Sequence, residues 1–149
     1  MESLAALVAE VAAPRPVALA YLFGSAATGL MTPFSDVDLA LVLDQDHAFQ
    51  DSRLQFELEI EDELAARGLS QADVRVINAA PLLLRGEVVT QGRLLFARNK
   101  DMRIEFETRT RMEYFDFLPA AEFYRKAFFE NLRQRGLSGQ RSKIAGSAR

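Results

Sequence analysis

Strands alternating with helices predict an α/β domain built on one small open sheet flanked by helices. Three observations carry this. Two near-continuous apolar runs of strand length stand at Val17–Phe23 and Val37–Leu43. Stretches with helical apolar spacing lie on either side of them. The chain is 149 residues long with 49% hydrophobic and 26% charged content, which suits one globular domain that buries about 70% of its chain's surface.

Leu4, Leu7, Val8 and Val11 recur at helical spacing, so residues 2–12 form an amphipathic helix that Pro14 and Pro16 end. The first strand stops at Gly24-Ser25, and residues 26–35, with Gly29, Pro33 and Ser35, read as a loop or a short helix plus loop. After the second strand, Phe49, Phe56, Ile60 and Leu64 mark one face of a helix from His47 to Arg67, closed by Gly68. Val74, Val76 and Ile77 make a third strand opened by Asp73. Pro81 fits the first turn of a short helix over residues 82–89, and residues 94–97 are a fourth strand. From Asp101 to Arg135 the pattern predicts two helices meeting at Pro119. The expected organisation is a single domain over residues 1–135, with a core at 17–98 and a helical C-terminal part at 101–135. A basic, Gly- and Ser-rich flexible tail at 136–149 follows.

Composition narrows the chemistry. With no cysteine, disulfides, thiolate zinc sites, iron–sulfur clusters and cysteine nucleophiles are excluded. The single histidine, His47, rules out multi-histidine metal sites. Any metal must rest on oxygen ligands, which favours hard cations such as magnesium. No apolar run approaches a membrane span, and the N-terminus lacks a basic secretory n-region, so cytoplasmic residence is expected. Net charge is -3, but five basic residues and no acids follow position 132, leaving -8 on residues 1–132. An acidic body is poorly suited to nucleic acid, except through the basic tail.

The chemistry-bearing stretch is Leu22-Phe23-Gly24-Ser25, ten residues, then Asp36-Val37-Asp38-Leu39. Glycine at a strand end lets the backbone turn sharply and approach a ligand closely. The amides such a turn opens form an anion cradle suited to a triphosphate, and Ser25 can add a hydroxyl donor. Asp36 and Asp38, two apart at the head of a strand, present their carboxylates on one face. Carboxylates so close beside phosphates call for cations between them, and two magnesium ions serve an in-line displacement at phosphorus. Asp73, opening the next strand, is the candidate third carboxylate, able to bind the same metal and accept a proton.

These residues resemble the nucleotidyltransferase superfamily of DNA polymerase β, at Gly24, Ser25, Asp36, Asp38 and Asp73. The short chain, with no separate substrate domain, looks like the minimal (MNT) type paired with HEPN ribonuclease toxins. The resemblance covers residues 17–98, with weaker similarity at Arg109 and Tyr114-Phe115-Asp116-Phe117. It implies the nucleotidyltransferase fold (α+β), with a mixed open sheet and a C-terminal helical extension. It also implies an antitoxin that uses ATP and two Mg2+ ions to transfer AMP to a tyrosine of its HEPN toxin, within a hetero-oligomer. On this reading Gly24 and Ser25 bind nucleotide, while Asp36, Asp38 and Asp73 are metal ligands and catalytic residues. Two rivals stand beside it: transfer to a small molecule such as an aminoglycoside, and a non-catalytic antitoxin that masks its toxin.

Other residues have more ordinary readings. Arg75 shares a face with Asp73 and is read as a salt-bridge partner before a phosphate ligand. His47 is a loop residue, and Thr28, Thr32 and Ser35 individually make weak nucleotide contacts at most. The acids of helix 47–67 (Asp51, Glu57, Glu59, Glu61, Asp62 and Glu63) read as a solvated face, or as a docking surface for a basic partner. Eight of the fourteen aromatics lie from Phe106 onward, and a helix that cannot bury them all presents a partner surface.

Overall fold

The computed structural model describes residues 2–24, 27, 36–44 and 52–147. Among these, the elements in order are α1 (Glu2–Ala12), β1 (Val17–Phe23), β2 (Val37–Leu43), α2 (Arg53–Ala66), β3 (Ala72–Val76), α3 (Leu82–Gln91), β4 (Arg93–Ala97) and α4 (Lys100–Ser147). The chain divides into two compact units, Met1–Met112 and Glu113–Arg149.

The first unit is a four-stranded mixed sheet in the order β3-β2-β1-β4. β1 pairs antiparallel with both β2 and β4, and β2 pairs parallel with β3. A central strand must be apolar on both faces, and β1 is buried from Val17 to Leu22. On one face, Val8 and Val11 of α1 and Phe56, Ile60 and Leu64 of α2 close over Leu22, Leu39, Leu41, Val74 and Val76. On the other face, Tyr21, Ala40, Val42, Ile77 and Val88 form a second cluster, joined by Leu84, Leu94 and Phe106.

Polar side chains finish what the sheet leaves open. The Arg98 guanidinium donates to the carbonyls of Ala12 at the end of α1, of Ala13 and Arg15 just beyond it, and of Val17 at the start of β1. The Ala12 carbonyl is one of the C-terminal helix carbonyls that have no intrahelical partner. The Asn78 amide exchanges two hydrogen bonds with the backbone of Leu43, extending the sheet by a side chain. The Tyr21 hydroxyl donates to Glu107 Oε1 at 2.8 Å. Burial first, then this carboxylate, pushes the tyrosine's ionisation far above its ordinary range.

Among the described residues β3 is an edge strand, and two of its outward amides are occupied. Glu61 Oε1 accepts the Val74 N–H at 2.8 Å, and Glu57 Oε1 accepts that of Val76 at 3.1 Å. The acids of α2 read from sequence as solvated or docking groups, yet these two bind backbone of their own chain.

The observed elements differ from expectation at several points. β3 runs over residues 72–76, although Ile77 still donates to the Leu41 carbonyl. Residues 45–51, with the expected helix start and His47, lie outside the described set, and the described helix begins at Arg53. Two helices were expected to meet at Pro119, but one helix runs through it. A proline costs one backbone hydrogen bond and a local clash, and an established helix adds a bond for each further residue. The described backbone is helical to Ser147, past the expected tail boundary at Gly136.

In the second unit Phe123, Tyr124 and Phe128 are each more than 60% exposed. Among the described residues no helix is long and apolar enough to cross a membrane.

Candidate active site

The topology brings three strand ends together. Because β1 runs antiparallel to β2, its C-terminal end lies beside the N-terminal end of β2. Because β2 and β3 are parallel, the start of β3 joins them there. The register makes this specific: Asp38 stands opposite Phe23 on one side and opposite Asp73 on the other.

Gly24 follows Phe23 with φ +72°, in the left-handed region where a side chain is strained. A Cβ built there would lie 2.5 Å from Asp38 Oδ2. Glycine is needed at this position twice over, for the turn and because the carboxylate fills the space. The Ala27 amide donates back to the Gly24 carbonyl at 3.2 Å, closing the turn that leaves the strand.

Asp36 is exposed, Asp38 and Asp73 are half-buried, and Arg75 is exposed. Asp36, two residues before Asp38, and Arg75, two after Asp73, extend the same face. The Asp38 carboxyl is held above its usual range, chiefly by burial and then by the negative charge of Asp73. Arg75 pulls it back, and Asp36 pushes it up further. Arg75 Nη2 lies 3.7 Å from Asp73 Oδ2, the salt bridge expected of it.

Three of the predicted site residues are thus neighbours around Gly24, Asp38 and Asp73, and Asp36 lies near enough to act on Asp38. Ser25 lies outside the described residues, as do Thr28, Thr32 and Ser35. Among the described residues no three acids converge into a ready-made cation cage. The donor chemistry nonetheless fits a hard divalent cation: the available ligands are carboxylate oxygens, and their mutual repulsion is what a cation would relieve.

A family model described as "Polymerase beta, Nucleotidyltransferase" matches residues 7–101. Solved structures share the fold. One is a crystal structure described as a toxin–antitoxin with AMP-PNP, with TM-score 0.62 and 20% identity, covering 87% of this chain and 98% of that chain. A second is a tri-AMPylated Shewanella oneidensis HEPN toxin in complex with MNT antitoxin, with TM-score 0.57 and 22% identity, covering 89% and 99%. A third is the toxin–antitoxin MntA-HepT, with TM-score 0.55 and 24% identity, covering 89% and 96%. At these identities the likeness is one of fold. No match to a curated protein is found. The family match spans more than half the chain and contains the whole sheet with its gathered acids. On that match, the chain belongs to the polymerase beta nucleotidyltransferase family.

Proposed function

We propose that this protein is an MNT-type antitoxin, a magnesium-dependent nucleotidyltransferase that moves AMP from ATP to a tyrosine hydroxyl of a HEPN ribonuclease toxin. The observation that carries the chemistry is the register of Asp38 opposite Asp73, with Gly24 pressed against Asp38. The likeness in fold to toxin–antitoxin structures, one with AMP-PNP and one with an AMPylated toxin, supports the choice of nucleotide and acceptor. The exposed aromatics of the second unit supply apolar surface for a protein partner.

Gly24 and Ser25 bind the triphosphate through turn amides and a hydroxyl. Asp36 and Asp38 would hold two magnesium ions, and Asp73 the catalytic one. Bound magnesium supplies charge stabilisation for the triphosphate and for the attacking and leaving oxygens. The tyrosine oxygen forms a bond to the α-phosphorus, the bond to the bridging oxygen breaks, and pyrophosphate leaves with that electron pair. The tyrosine proton passes to the Asp73 carboxylate. Arg75, 3.7 Å from Asp73 Oδ2, offers that carboxylate a positive neighbour. The protein's share is mainly positioning and preorganised charge.

The test is intact-mass measurement of the toxin after co-expression. Wild-type protein is expected to leave AMP on the toxin, and Asp38→Ala is expected to leave none. Full neutralisation by Asp38→Ala, with an unmodified toxin, would instead establish masking as the mechanism.

A further inference from the structure

Building on the nucleotidyl-transfer reading, we infer that Glu61, seconded by Glu57, is a positioning residue that sets Asp73 against Asp38 by clamping the free edge of β3. Among the described residues Asp73 sits on the outermost strand, and β2 pairs with that strand on one side. An edge strand has unpaired N–H groups on its other side and can fray or slip. Here the two that flank Asp73 and Arg75 on their C-terminal sides are taken. Val74, the residue directly after Asp73, donates to Glu61, and Val76, directly after Arg75, donates to Glu57.

The two spacings are commensurate. Glu57 and Glu61 are one helical step of four apart, a rise of about 6 Å along α2. Val74 and Val76 are two strand residues apart, an advance of about 6.6 Å. The order is reversed, Glu61 to Val74 and Glu57 to Val76, so α2 runs antiparallel to β3 and meets it twice in register. Behind these contacts Phe56, Ile60 and Leu64 anchor the same helix in the core, so the clamp has a fixed base. A carboxylate accepting a backbone N–H makes a charge-assisted bond, stronger than the amide–carbonyl bond of a further strand. Glu57 and Glu61 line one groove with Asp73 and Arg75, and their hydrogen bonds there go to the backbone of β3. Their effect reaches the chemistry through the backbone on either side of Asp73 and Arg75.

Glu61→Leu removes the acceptor at similar volume, whereas Glu61→Gln keeps a carbonyl acceptor. A small displacement of a catalytic group can cost on the order of 100-fold in rate. Glu61→Leu is therefore expected to lower kcat for AMP transfer roughly 10- to 100-fold, leaving KM for ATP within about twofold. Glu61→Gln should stay within about threefold of wild type, since its amide oxygen can accept the same N–H. On an Asp73→Asn background, Glu61→Leu should cause no further loss, because both changes act through one group. The inference is overturned by wild-type kcat in Glu61→Leu, by equal damage from Glu61→Gln, or by an undiminished effect on the Asp73→Asn background. Amide hydrogen exchange on the unmodified protein tests the clamp even where a variant fails to fold. Val74 and Val76 are expected to be protected despite their edge position, and exchange at free-peptide rates would overturn the inference. Absence of transfer by the wild-type protein would count against the activity itself, while the exchange experiment would still decide on the clamp.

Discussion

Replacing Asp38 by asparagine should make the metal-free protein more stable while abolishing nucleotidyl transfer. In the folded chain Asp38 stands in register with Asp73, and its carboxyl is held above the usual 3.8 by burial, by Asp73 and by Asp36, against a smaller opposing pull from Arg75. A group whose folded pKa is raised contributes stability that is fully present below its unfolded pKa and is lost as pH rises through the folded pKa. At neutral pH the ionised pair is therefore a cost. Like charges facing one another on neighbouring strands are destabilising, on the order of the roughly 0.2–1 kcal/mol that favourable cross-strand pairs contribute. For a domain of this size about 1 kcal/mol corresponds to roughly 2–4 °C in Tm. In chelator at pH 7, Asp38→Asn is thus expected to melt up to about 3 °C above wild type by circular dichroism. The gap should close as pH falls toward the ordinary carboxylate range. With magnesium and ATP the order should reverse, because only wild type gains ligand stabilisation. If Asp38→Asn melts at or below wild type in chelator at pH 7, the repulsion inferred between these carboxylates is not there.

Gly24→Ala places a Cβ at φ +72° and 2.5 Å from Asp38 Oδ2; it should cost about 1–3 kcal/mol in urea unfolding and reduce transfer to background. Retention of full transfer would show that the close approach to Asp38 is dispensable. Arg98→Ala removes donors to four carbonyls and a partner 3.6 Å from Asp44, with an expected loss of about 2–4 kcal/mol. Arg98→Lys should recover less than half of that, since an ammonium cannot reproduce the planar fork; equal stability of the two variants would contradict this. Glu63 is held below its usual 4.5, first by its hydrogen bond from Arg15. Its contribution is therefore present above the unfolded pKa and lost as pH falls through the folded one. Glu63→Gln should flatten the acid side of the stability curve below about pH 4.5, and an unchanged acid limb would show the pair to be without thermodynamic weight.

Much of this fold is written locally. β1 and β2 were legible residue for residue, because a strand buried on both faces is an unbroken apolar run bounded by turn formers. β3 alternates apolar and charged residues and sits at an edge, so its ends were legible only to within one residue. Gly24 and Asp38 stood out through their spacing, but the contact between them depends on the antiparallel pairing of β1 with β2. Asp73 was locatable as a strand opener, whereas its register opposite Asp38 is a property of strand order. The roles of Glu57, Glu61 and Arg98 were not legible. A glutamate that faces water and one that faces an open strand edge have the same local sequence, and Arg98 binds carbonyls more than 80 residues earlier. Pro119 misled because its cost is local and a helix can absorb it.

The parallel pairing of β2 with β3 has a consequence for when the protein becomes competent. Gly24 and Asp38 meet within one antiparallel strand pair, which forms from nearby residues. Asp73 joins them only after the chain has crossed over through α2, a far longer loop to close. On the proposed mechanism, a nascent chain that has exposed only the first two strands carries Gly24 and Asp38, and Asp73 arrives with the return crossing. On that mechanism transfer waits until the sheet is three strands wide, and an aborted translation product would carry the motif without the power to use it.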